Sequence, residues 1–327
     1  MIRSQFIPVL CDCEAGTDML RVMATAVTVL AVGSTARQPL SIRVLISKAA
    51  MRWSWILLVV LLPSCGNQRG LHDSHEPRAE VDLFLMSYNI MWEENGVRAG
   101  HTELPVWQDR RALVREVIQT ARPDIIGLQE ASLEQQVGLS ADNPEYGILY
   151  DQELNNTNPI MYRATRFVVE DSGAFVMNDV PEEHGTNIGL RKASFARFVE
   201  IQSGRRFAVY NVHLDHRGSG STRQLCAVRL IERIAAETVP VFLTGDFNCS
   251  ETSPAMRFFY GEQSLINDQR EPYENPQPLR DALEIIDPSL VDHVLVGRNV
   301  KVLSASYLDT VNPQASDHFP VMAEVVF

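Results

Sequence analysis

The chain is predicted to fold as an α+β sandwich, two mainly antiparallel or mixed sheets packed face to face with helices outside. Three observations predict it. Short apolar runs of strand length recur from residue 82 onward, only two long stretches carry helical spacing, and the roughly 245 residues involved show no linker and no internal repeat.

The first strand is the run Leu83-Phe84-Leu85-Met86-Ser87-Tyr88-Asn89, and Gly96 to Gly100 follows as a turn. A helix is predicted from about Val106 to Ala121, with Leu113, Val114, Val117, Ile118 and Ala121 at helical spacing; Pro123 ends it. The run Asp124 to Glu130 is the second strand. Further strands are predicted at Ile148 to Tyr150, Pro159 to Tyr162, Phe167 to Phe175, Ser194 to Ile201 and Arg206 to His213, the last two joined by a Ser203-Gly204 hairpin. Leu225, Val228, Ile231, Ile234 and Ala235 mark a helix from Ser221 to Glu237. Strands at Val241 to Thr244, Leu290 to Val296, Val300 to Tyr307 and Phe319 to Val326 complete the pattern. Between Ser250 and Pro288 only a short helix, Pro254 to Tyr260, is readable.

The region before the domain reads differently. Met51 to Cys65 has a basic start, an apolar run too short to span a bilayer comfortably, and a small residue before a cysteine. Its end, Leu62-Pro63-Ser64-Cys65, resembles a bacterial lipobox, after whose cleavage the cysteine carries lipid. Residues 1–50 are therefore expected to be untranslated or an extra leader, 51–64 a lipoprotein signal peptide, 65–81 a flexible tether and 82–327 the folded domain. The protein is expected to be exported and anchored through lipid on Cys65 to the periplasmic or cell-surface face of a membrane. Cys65→Ala should release it from the membrane fraction or stall its processing; a peptide from residues 1–50 in the mature protein would exclude this start.

The net charge is −12; residues 1–65 carry six basic and three acidic side chains, so the remainder carries about −15. Such a surface repels polyanions, so nucleic acid is not favoured as a partner. Beyond Cys65 only Cys226 and Cys249 remain, and two isolated cysteines make no disulfide framework. No Cys-x-x-Cys or His-x-x-x-His zinc spacing occurs.

Several strand-like runs end in a residue too polar to stay buried without a partner: Asn89, Glu130, His213, Asp246 with Asn248, and the Asp317-His318 pair. Asp292 lies inside an apolar run, where a carboxylate needs a partner even more. Hydrolysis of a phosphate ester needs a cation, a base for water and donors for the transition-state charge, and this set supplies all three. Glu130 and Asp317 are carboxylate candidates for a hard ion, Mg²⁺ or Mn²⁺ with Ca²⁺ also compatible; Asn89 adds an amide oxygen as ligand or positioner. Asp246 and Asn248, two apart, point the same way in an extended segment, one as base and one as phosphate donor. His213 and His318 can donate to phosphate, and Asp292 behind His318 would hold its tautomer and favour its charged form.

The segments Ser-Tyr-Asn89-Ile, Gly-Leu-Gln-Glu130, Asn-Val-His213-Leu-Asp-His216, Thr-Gly-Asp246-Phe-Asn248, Val-Asp292-His-Val-Leu-Val and Ser-Asp317-His318-Phe-Pro-Val resemble, in order, the motifs of the endonuclease/exonuclease/phosphatase superfamily. The resemblance spans about 82–327 and implies a four-layered α/β sandwich. It also implies a cation on Glu130 helped by Asn89 and Asp317, Asp246 activating water, Asn248 and His213 on the phosphate, and an Asp292–His318 pair facing it. Met91 stands where DNA-repair members often carry an acid, and Leu290-Val291 replaces the Arg-Ile that often precedes the aspartate. The expected activity is hydrolysis of a small-molecule or lipid head-group phosphate ester by a monomer. A secreted nuclease is the alternative, and a non-catalytic surface module the second.

Overall fold

The computed structural model describes residues 80–93, 104–150, 156–178, 190–217, 220–284, 290–309 and 311–327. The leader, the signal, most of the tether and the turn at Gly96 to Gly100 lie outside them. In chain order the elements are β1 (Asp82–Asn89), α1 (Trp107–Ala121), β2 (Ile125–Gln129), α2 (Leu133–Asp142), β3 (Tyr146–Leu149), β4 (Ile160–Arg163), β5 (Phe167–Val176), β6 (Lys192–Glu200) and β7 (Arg206–His213). There follow α3 (Ser221–Ile234), β8 (Val241–Asp246), α4 (Pro254–Phe259), β9 (Leu265–Ile266), β10 (Pro272–Tyr273), β11 (Leu279–Asp281), β12 (Asp292–Gly297), β13 (Lys301–Tyr307) and β14 (Val321–Val326).

Two six-stranded sheets run β13-β14-β1-β2-β4-β3 and β11-β12-β8-β7-β6-β5, with β9 and β10 as a separate ribbon. Each sheet holds one parallel pair, β1 with β2 and β7 with β8, and is otherwise antiparallel. The parallel pairs are bridged by α1 and α3, so each sheet contains one strand–helix–strand crossover. Helices α1 and α2 cover the outside of the first sheet through Trp107, Val114, Ile118 and Leu139. Helices α3 and α4 cover the second through Ala227, Leu230, Ile231 and Phe258. The result is four layers, as the motifs implied.

Two departures from the sequence reading have local causes. Helix α2 was not anticipated, yet Ser132 and Gln135 close a reciprocal capping box at its start, a signal present in the sequence. Strands β9 to β11 are two or three residues long, too short to show a period of two. Cys226 and Cys249 are buried free thiols.

The space between the sheets is apolar at one end and polar at the other, because each central strand changes character along its inward face. The alternation of side chains turns Leu83, Leu85, Ser87 and Asn89 of β1 toward the second sheet, and Met86 and Tyr88 toward the helices. In β7 the inward series is Phe207, Val209, Asn211, His213, and in β8 it is Phe242, Thr244, Asp246. Phe198, Phe207, Phe242 and Phe327 interlock at the apolar end with ring centroids 5.3 to 5.8 Å apart. Toward the other end, Asn211 accepts from Gln129 Nε2 at 2.7 Å and from Thr244 Oγ1 at 3.1 Å, and donates to Leu128 O at 2.7 Å. This seam bonds one sheet to the other, so the buried amides are satisfied rather than stranded.

Candidate active site

At the polar end the register of the second sheet sets three side chains in one row. His213 pairs with Asp246 across β7 and β8, and Asp246 pairs with Asp292 across β8 and β12. His213 Nε2 lies 3.5 Å from Asp246 Oδ2. From the opposite sheet, Asn89 Nδ2 donates to Asp246 Oδ2 at 3.0 Å. The backbone N–H of Asn248 donates to Asp246 Oδ1 at 2.9 Å, so both oxygens of this buried carboxylate are held. Holding from two directions fixes one rotamer, which a base must have before it meets its substrate.

His318, on the loop entering β14, completes the row. Its Nδ1 lies 2.6 Å from Asp292 Oδ2, and its Nε2 4.0 Å from Asp246 Oδ2. Asp292 is buried, and its other oxygen, Oδ1, has no partner among the described residues. Burial on its own lowers the pKa of His318. The adjacent Asp292 carboxylate and its hydrogen bond, with Asp246 and Asp317 beyond, outweigh that effect and raise it to about 10, so the ring is an imidazolium at neutral pH. His213 goes the other way. Its burial pushes the pKa down to about 4 despite Asp246, helped by Arg191 and His318, so this ring is neutral and donates through one N–H only. Asp246 is raised above the ordinary carboxylate range, by burial first and by Asp292 second.

Glu130 follows β2 directly and adopts a left-handed backbone, φ 58°. Its Oε2 accepts from the Trp92 N–H at 2.8 Å, and no described hydrogen bond engages its other oxygen. Asn89 Oδ1 accepts from the Met91 N–H at 3.0 Å, so this amide is clamped between its own loop and Asp246, with one lone pair uncommitted. Asp317 is exposed and accepts from Ser316 Oγ at 3.3 Å; the same hydroxyl donates to Asn89 O at 2.7 Å. Asn248 commits one amide hydrogen to Leu214 O at 3.0 Å and keeps the second. Met91, Glu130 and Asn248 are non-glycine residues with positive φ, each strained by about 1–3 kcal/mol, and they cluster around this one site.

The structure thus brings His213, Asp246, Asn248, Asp292, His318 and Asn89 into one bonded group. It sets Glu130 and Asp317 on loops tied to that group through Trp92 and through Ser316. Sequence reasoning missed Ser316, whose hydroxyl stitches the Asp317 loop to β1, and Asn211, whose place two residues before His213 on the same inward face was the available signal.

The match to known proteins covers the same stretch. The model of the Endonuclease/Exonuclease/phosphatase family matches residues 86–318. The chain is 24% identical over 176 residues to protein L388 of Acanthamoeba polyphaga mimivirus, covering 48% of this chain and 66% of that one. It is 24% identical over 197 residues to Nocturnin of Drosophila melanogaster, covering 53% of this chain and 30% of the fly protein. Its fold overlays a mannosyl-6-phosphatase of Bacteroides thetaiotaomicron with a TM-score of 0.61 at 24% identity, over 75% of this chain and all of that one. With the family model spanning the whole candidate site from β1 to His318, the chain belongs to the endonuclease/exonuclease/phosphatase family.

Proposed function

We propose that the domain hydrolyses phosphoric esters with a divalent cation, by in-line attack of a water activated by Asp246, on a small-molecule or lipid head-group mono- or diester. The observation that supports it best is the row His213, Asp246, Asp292, His318, in which a buried carboxylate sits between a neutral and a charged imidazole. A carboxylate with a raised pKa takes a proton more readily from water, and its two hydrogen bonds aim it. The imidazolium keeps Nδ1 on Asp292 and has Nε2 free to donate to a phosphoryl oxygen as negative charge builds there. Neutral His213 and the second amide hydrogen of Asn248 supply further donors on the same side.

Glu130, Asn89 and Asp317 fit a hard ion, since they offer carboxylate and amide oxygens and no thiolate. When bound there, the cation would neutralise phosphoryl oxygens and acidify a bound water. Asp246, Asp292 and His318 also offer ligand atoms within 4.8 Å of one another. We assign that trio to proton handling instead, because an ion between Asp292 and His318 would have to break their 2.6 Å hydrogen bond. The net charge of −12 favours compact phosphate esters over nucleic acid, and lipid on Cys65 would hold the monomeric enzyme at a membrane face.

The test is turnover on a panel of phosphomonoesters, phosphodiesters, phospholipids and DNA with Mg²⁺, Mn²⁺ or Ca²⁺. Hydrolysis of the small esters is expected; turnover on DNA alone would favour the nuclease, and no turnover on any member of the panel would leave only the binding-module reading standing. EDTA should abolish activity, and Glu130→Gln should weaken cation affinity while leaving the circular dichroism spectrum unchanged. Full turnover in the chelated protein would remove the cation from the mechanism.

A further inference from the structure

Arg110 is a charged side chain with no exposed surface, in the middle of an otherwise apolar helix face. It sits on the stripe of α1 that carries Trp107, Val114 and Val117, and its guanidinium lies 5.3 Å from the Trp107 ring centre. Among the described residues it is bonded to no carboxylate. Nη1 donates to Ile90 O and, at 3.1 Å, to Ala315 O; Nη2 donates to Met91 O and, at 3.2 Å, to Trp92 O. Four backbone carbonyls from two loops are therefore gathered on one planar fork. One loop follows Asn89, and the other precedes Asp317.

We infer that Arg110 is a positioning residue for the cation end of the site, a rigid clamp that sets the spacing between the Asn89 loop and the Asp317 loop. The inference rests on the reading of Glu130, Asn89 and Asp317 as the cation's ligands. A buried guanidinium without an ion pair is costly, and an apolar side chain would fill the seam between α1 and the sheet at lower cost. The fork's geometry explains its presence, since no other side chain offers several donors in one fixed plane. It pins Met91, whose left-handed backbone (φ 57°) would otherwise relax, and Gln135 Nε2 donates to the same Met91 carbonyl at 2.8 Å. Met91 N–H in turn holds the Asn89 amide, and the Trp92 N–H holds Glu130. The clamp thus binds a carbonyl one residue from Asn89 and another two residues from Asp317, and it reaches Glu130 through the backbone N–H of Trp92. Glu130 and Asp317 also act on the guanidinium through space, as expected of groups sharing one basin.

Arg110→Lys is the discriminating variant, because it keeps the charge and loses the fork. Mg²⁺ affinity of the intact protein, measured by titration calorimetry without substrate, should fall at least roughly tenfold, the lower range for a residue that orients metal ligands. The half-saturating Mg²⁺ for turnover should rise by the same factor, and kcat at saturating Mg²⁺ should return to within about threefold of the parent on that account. A lower melting temperature with Mg²⁺ affinity within about twofold of the parent would show a purely structural arginine and overturn the inference. If the lysine variant does not fold, Arg110→Met, which keeps the stem on Trp107, is read the same way. Glu130→Gln is titrated alongside. If it loses affinity and Arg110→Lys does not, the clamp alone is refuted; if neither loses affinity, the cation reading falls with it.

Discussion

Asp246→Asn should lower kcat by at least roughly a hundredfold while KM moves little, because it removes the proton acceptor and leaves the phosphate donors in place. The substitution is isosteric but not silent. Both Asp246 oxygens accept hydrogen bonds, from Asn89 Nδ2 and from the Asn248 N–H, so an amide there must turn its own NH2 toward one of two donors. Leaving a buried donor unpaired costs about 1–3 kcal/mol, and some loss of melting temperature is expected on top of the catalytic defect. Steady-state kinetics on the best ester of the panel decide the matter: a kcat for Asp246→Asn within about tenfold of the parent would move the base elsewhere, with neutral His213 ahead of the already protonated His318.

The second large effect is on stability. Gly127 lies on β2 facing the second sheet, and a Cβ there would sit 1.9 Å from Thr244 Oγ1 and 2.5 Å from Asn211 Oδ1. Neither atom is free to move. The Thr244 hydroxyl donates within the seam, and the Asn211 oxygen already accepts from Gln129 and from Thr244. Gly127→Ala therefore combines overpacking, about 1–3 kcal/mol, with loss of buried hydrogen bonds, about 1–3 kcal/mol more. For a domain of this size the melting temperature should drop by roughly 4–24 °C. Adding Thr244→Ala removes the nearest atom and should recover part of the loss, a non-additivity that a thermal double-mutant cycle reads directly. A single variant melting within about 2 °C of the parent would mean that the sheets can separate here at little cost.

How far the sequence spoke depended on whether a residue's role was local or arose between distant segments. Strand-length apolar runs ending in polar residues were visible, so the architecture and the candidate residues could be read from them. Their mutual bonds could not, because the 3.0 Å contact of Asn89 with Asp246 spans 157 positions and depends on sheet register. The strand–helix–strand order around α1 and α3 was also in view, but it takes pairing direction to turn it into two parallel pairs whose ends meet. Asp292 was placed within an apolar run; it is the first residue of β12, which puts its carboxylate in register with Asp246. Arg110 was illegible for a different reason. An arginine three residues after Trp107 falls on the buried stripe, but charge alone reads as solvent-facing.

The strand order of the first sheet has a consequence for biosynthesis. Among the described strands β1 comes first in the chain and lies between β2 and β14, the last of them, and the Asp317-His318 loop enters with β14. A nascent chain that has emerged only through β12 can order His213, Asp246 and Asp292, yet lacks His318 beside Asp292 and leaves one edge of β1 unpaired. Closure waits on a contact between the extremes of the domain, which is slow to find. The partly made chain therefore lacks the Asp317-His318 end of the candidate site, and its open β1 edge is the place where aggregation would begin.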